Sequence, residues 1–92
     1  MSTTLPRLDK RARATLFRDR LALALAQARL TQAGLARLTG ADRSTLSQLL
    51  APDSKRLPNA QLVAECAAAL GVSADWLLGL SDRRERAADL IA

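Results

Sequence analysis

Residues 32–50 read QAGLARLTGADRSTLSQLL. Leu35 and Leu38, three apart, supply the apolar face of one short helix, and Gly40 ends that helix because a residue without Cβ enters left-handed backbone readily. Asp42 then caps a second short helix over residues 43–50, whose apolar positions Leu46, Leu49 and Leu50 lie three and four apart or adjacent. Ala36 is small enough for two helices to approach closely where they cross, and Leu46 and Leu49 anchor the second helix on a core. The outward side chains of that second helix, Arg43, Ser44, Ser47 and Gln48, are all hydrogen-bonding groups.

Toward the N-terminus, Phe17, Leu21, Ala24, Leu25 and Ala28 follow helical spacing, so residues 15–29 are expected to form a helix with these five on one buried stripe. Leu16 and Leu23 are a heptad apart on another side of it and need a cover, supplied by the C-terminal tail or a second subunit. Residues 1–14 hold Pro6 and the cations Arg7, Lys10, Arg11 and Arg13; they read as a basic arm or as a helix extension, with Asp9 available to cap an early start. Thr31 and Gln32 open the second helix.

Toward the C-terminus, Pro52 stops the third helix, and residues 51–58 form a polar loop carrying Lys55 and Arg56. Asn59 caps a fourth helix with the stripe Leu62, Val63, Cys66, Ala67 and Leu70, ended by Gly71. Ser73 caps a last core turn over residues 74–78, where Trp76 and Leu77 close the bottom of the core or, with Leu80, Leu90 and Ile91, contribute to a dimer surface. The charged run 82–86 leading to Leu90 and Ile91 suits a short amphipathic tail helix. Strand-like alternation, internal repeats and low-complexity linkers are all missing from the sequence. The expected architecture is all-α: a five-helix domain over residues 15–80, a basic segment over 1–14 and a tail, a candidate dimerisation helix, over 81–92.

Composition narrows the function. At 92 residues, 49% apolar and 25% charged, the chain is one folded domain. It has no His and a single Cys, which removes the usual general base, the Cys/His nucleophile pair and any His or Cys set for zinc. No cofactor, metal or enzymatic role is expected, and Cys66 reads as a buried apolar residue. Aromatics are 2% of the chain, too few for base stacking to hold single-stranded nucleic acid. No signal peptide or long apolar run appears, so cytoplasmic residence without membrane contact is expected, and no small-molecule ligand is evident. Residues 1–58 hold 11 basic and 4 acidic side chains, a balance of +7, whereas residues 59–92 balance to −2. A polyanionic partner would be met by the first two thirds of the chain.

The sequence resembles the Cro and repressor-type (Xre) helix-turn-helix family. The resemblance rests on Leu30-Thr31-Gln32, the spacing of Ala36 and Gly40, Ser44-Thr45-Leu46-Ser47, and Ala69-Leu70-Gly71-Val72-Ser73 leading into Asp75-Trp76-Leu77-Leu78-Gly79, together spanning residues 17–82. It implies a lambda-repressor-like domain whose third helix enters the major groove of double-stranded DNA while the second crosses the backbone. Carried over, the base-contacting positions are Arg43, Ser44, Ser47 and Gln48, and the phosphate-contacting ones are Gln32, Thr45, Lys55 and Arg56. Arg7, Lys10, Arg11 and Arg13 are candidates for an arm that follows the DNA. Two features depart from the family pattern: Leu25 and Leu50 stand where many members pair an Arg with a Glu, and the loop after the third helix is slightly longer. The resemblance implies a transcriptional regulator, a repressor acting as a homodimer on a palindromic operator. The alternative is an antitoxin or similar module that uses the same fold to bind a toxin or a larger regulator.

Overall fold

The computed structural model describes residues 7–86 as five α-helices with no strand among them. They are α1 (Lys10–Ala28), α2 (Gln32–Thr39), α3 (Arg43–Leu50), α4 (Ala60–Leu70) and α5 (Ala74–Leu78). Each start carries a residue of the capping class. Asp9 accepts the Ala12 N–H at 2.8 Å, Thr31 that of Gly34 at 3.0 Å, Asn59 that of Leu62 at 2.8 Å and Ser73 that of Trp76 at 3.3 Å. Asp42 occupies the same position before α3, but its exposed carboxylate makes no capping hydrogen bond, contrary to the expectation from its residue type.

One core joins all five helices. Phe17 and Leu21 of α1, Leu35 of α2, Leu46 of α3, Cys66 of α4 and Leu77 of α5 are fully buried, and Leu49, Val63, Val72 and Trp76 pack with them. α1 packs on α3, α4 and α5, while α2 lies against both α3 and α4. The pair α2 and α3 is thereby held at one side of the domain by a floor of apolar side chains. Leu25 is buried and Leu50 packs against the same cluster, so the positions that carry an ion pair in many relatives are both apolar and both part of the core here. Exchanging a buried ion pair for apolar side chains removes the desolvation cost of two charges.

Two open alternatives are resolved, the helix extension of residues 10–14 and the core role of Trp76 and Leu77, and three expectations are corrected. α1 begins at Lys10, so Lys10, Arg11 and Arg13 lie in its first turns, and only Arg7 of the four basic arm candidates precedes it. Ala28 is exposed instead of closing the α1 stripe, because Arg29 turns left-handed at φ 57° and Leu30 folds inward in its place. Leu38 is 58% exposed. In that last turn of α2 Thr39 turns inward, its hydroxyl donating to the Leu35 carbonyl at 2.8 Å and accepting the Ala41 N–H at 3.3 Å. Trp76 and Leu77 belong to the core, the first of the two roles their positions allowed; Leu80 is exposed, and Leu90 and Ile91 lie outside the described residues.

The last correction concerns the described part of the tail, since residues 87–92 lie outside the described residues. Residues 81–86 are not helical. Their backbone groups are taken by the domain: the Ser73 N–H donates to the Arg84 carbonyl at 2.8 Å, and the Arg20 guanidinium donates to the Ser81 carbonyl at 2.9 Å and pairs with Asp82 at 3.5 Å. Of the two leucines that needed a cover, Leu16 is half-buried against Gly79, and Leu23 remains exposed.

Candidate nucleic-acid interface

α3 is eight residues long and its two faces differ sharply. Leu46 and Leu49 are buried, Thr45 and Leu50 are half-buried, and Arg43, Ser44, Ser47 and Gln48 are all exposed. Positions 43 and 47, like 44 and 48, are four apart, so the four exposed side chains form two adjacent rows on one surface. Together they offer hydroxyl, amide and guanidinium groups and no carboxylate. Such a surface can donate to or accept from base edges without repelling phosphate.

The turn from α2 to α3 has a defined path. Gly40 stands at φ 73°, its N–H donating to the Ala36 carbonyl at 2.8 Å. Ala36 is 6% exposed, which places the small side chain at the approach of the helices as the spacing predicts. A shallow hollow between α2 and α3 is lined by Ala33, Ala36, Arg37, Asp42 and Arg43. Arg37 in the last turn of α2 is exposed beside Arg43 and was not singled out by the motif, which marks only glycine, small and apolar positions and the third helix. A cation two positions after the buried Leu35, and so on the opposite side of α2 from it, is the signal that would have found it.

A model of the helix-turn-helix family matches residues 21–77. The chain belongs to that family. It is a helix-turn-helix DNA-binding protein of the Cro and repressor type, with α2 and α3 as the two helices of the motif. Among solved structures it is similar to a hypothetical transcription factor, NHTF, from Neisseria, at 27% identity over 85% of each chain with a TM-score of 0.66. Among curated proteins none matches.

Within the helix-turn-helix frame, the remaining positions carried over from the sequence fall as follows. Gln32, the first residue of α2, is exposed. Thr45 is half-buried and borders a depression formed with Thr39, Asp42, Asn59, Gln61 and Glu65. Lys55 and Arg56 are exposed in the loop after α3. That loop is fastened from both ends. The Arg18 guanidinium of α1 donates to the Pro52 carbonyl and to that of Ala51 at 3.4 Å, the Ser54 N–H donates to the Ala51 carbonyl at 3.0 Å, and the Ser54 hydroxyl accepts the Arg56 N–H at 3.3 Å. The Arg56 side chain then reaches back to α3 and donates to the amide oxygen of Gln48. Only this folded loop brings the α3 glutamine and the loop arginine near one another, so sequence spacing did not make the contact readable.

Arg13 is turned toward the domain. It is half-buried and donates to the Leu78 carbonyl at the end of α5. Lys10 and Arg11 are exposed in the first turn of α1, and Arg7 is exposed before it. Cys66 is fully buried, and burial, with the nearby Glu65 carboxylate as a smaller cause, pushes its thiol up to about 11. A thiol held protonated in the core has no part in this surface.

Proposed function

We propose that the protein is a sequence-specific double-stranded DNA-binding regulator of transcription, a repressor acting as a homodimer on a palindromic operator. The observation that carries this reading is the exposed row pair Arg43, Ser44, Ser47 and Gln48 on a helix anchored by Leu46 and Leu49. In the major groove Arg43 donates to guanine O6 and N7, Gln48 contacts a neighbouring base, and the serines adapt to either strand. Gln32, Thr45 and Lys55 hold the phosphates on either side and set the register, and Arg37 adds a backbone contact from α2. Arg7, Lys10 and Arg11 are free to follow the DNA beyond the motif. The likeness to a hypothetical transcription factor supports the regulatory role.

A homodimer would present two copies of α3 about 34 Å apart, one turn of the duplex, so that a two-fold operator meets a two-fold protein. Leu80, 59% exposed beside the tail, is available to such a contact. Selection of sites from a random duplex library, followed by affinity for the selected site and for random DNA at two salt concentrations, tests the whole reading. The expected result is a palindrome bound about 10³-fold or more above random DNA. Weak, salt-sensitive binding with no consensus would overturn it in favour of a protein-binding module.

A further inference from the structure

We propose that Arg56 is a specificity-determining residue, which turns Gln48 into a reader of guanine instead of adenine. This inference rests on the proposed DNA-binding role and deepens it. A glutamine free in the major groove recognises adenine by using both ends of its amide, the oxygen accepting from N6 and the nitrogen donating to N7. Here the oxygen is engaged. Arg56 donates to it, and the guanidinium brings a full positive charge to that end of the amide.

Two consequences follow. The partial positive charge of the adenine N6 amino group would meet the guanidinium, which is unfavourable. The Gln48 nitrogen and the remaining N–H groups of Arg56 form a surface in which donors outnumber the one lone pair left on the Gln48 oxygen, and the purine edge that offers only acceptors in the major groove is guanine, with O6 and N7. Polarisation by the cation also strengthens the amide nitrogen as a donor.

The pairing is built into the fold. Arg18 of α1 holds the carbonyls of Ala51 and Pro52, Ser54 holds Ala51 and Arg56, and both Gln48 and Arg56 are exposed on the same surface as Arg43. The same guanidinium has five N–H groups, so it can keep the Gln48 oxygen while facing the base.

The experiment compares sites selected by the natural protein, Arg56→Ala, Gln48→Ala and the double variant, with affinities measured on the selected site and on versions carrying G or A at the column that Gln48→Ala relaxes. The natural protein should prefer G over A there by about tenfold or more, and Arg56→Ala should abolish or invert that preference. The two substitutions should be non-additive on the G site. An unchanged preference for the same base in Arg56→Ala, with all sequences weakened evenly, would make Arg56 a phosphate contact and overturn the inference while leaving the DNA-binding role standing. Absence of any consensus from the natural protein would instead overturn the DNA-binding role and this inference with it. Circular dichroism and thermal melting of each variant confirm that the exposed substitutions leave the fold intact.

Discussion

Gly79 and Gly71 both sit in left-handed backbone, at φ 80° and 66°, yet they answer to different demands. A Cβ on Gly71 would meet nothing within 4 Å, whereas a Cβ on Gly79 would collide with Leu16 and press on Leu8 at 3.2 Å. Gly71→Ala is therefore expected to cost about 1 kcal/mol, the ordinary strain of a left-handed alanine, and Gly79→Ala roughly 2 to 3 kcal/mol, because overpacking adds to that strain. Urea denaturation of the two variants measures the difference; equal losses would show that the α1–α5 contact gives way without cost. Cys66 provides a second test with a definite sign. Its thiol is harder to deprotonate folded than unfolded, so its contribution to stability is present below about pH 9 and is lost as pH rises through about 11, by roughly 3 kcal/mol in all. Thiol-reagent labelling should accordingly be negligible in the native protein at pH 8 and rapid in denaturant. At the DNA surface, Arg43→Ala should cost about 1 to 3 kcal/mol on the best site and relax preference at one base pair, while an equal loss on random DNA would reduce Arg43 to a backbone contact. Sequence showed that Arg43 and Gln48 point outward, because Leu46 and Leu49 fix the inward face. It did not show that the Gln48 amide oxygen has a partner, because that partner arrives from eight residues away through a folded loop.

Among the elements, four starts use their capping side chains and one does not. Asn59 accepts the Leu62 N–H at 2.8 Å, and Asn59→Ala is expected to cost about 1 kcal/mol. Asp42 makes no such bond, so Asp42→Ala should cost only a few tenths of a kcal/mol, the remainder of a carboxylate's attraction to the helix N-terminus. Thermal melts of the two variants decide it, and a loss at Asp42 equal to that at Asn59 would mean that the cap forms in solution. Helix ends and types were legible because Asp, Thr, Asn, Ser and Gly act locally, within one turn. Helix faces were less so. Leu38 obeys the same three-residue spacing as Leu35 but stands exposed, since in the last turn of α2 the hydroxyl of Thr39 claims the inward place. Residues 81–86 depart from the expected helix for the complementary reason: their charged pattern suits a helix, but the carbonyls of Ser81 and Arg84 are held by groups far away in sequence.

Across the whole molecule, the cations of the first two thirds divide into two populations that a charge count cannot separate. Arg13, Arg18 and Arg20 of α1 are half-buried and spend their guanidinium N–H groups on the carbonyls of Leu78, of Ala51 and Pro52, and of Trp76 and Ser81. They tie α1 to the ends of α3 and α5, where carbonyls lack intrahelical partners. Arg7, Lys10, Arg11, Arg29, Arg37, Arg43, Lys55 and Arg56 are exposed. Arg20 is the clearest case, since it also pairs with Asp82 and, with Arg84, flanks the Trp76 ring at 5.1 and 5.5 Å. Removing it should free residues 81–86 from the domain without unfolding the core. Arg20→Ala is thus expected to shift Trp76 emission to longer wavelength and to speed tryptic cleavage after Arg83 and Arg84 by about tenfold, because opening that strap loses charge-assisted hydrogen bonds and one of two cation–π contacts. Its salt dependence of DNA binding should match the natural protein's, because this guanidinium already has its partners inside the fold. If Arg20 instead served phosphate, the opposite pair of results would appear: a salt slope reduced by about one unit and an unchanged rate of tail cleavage.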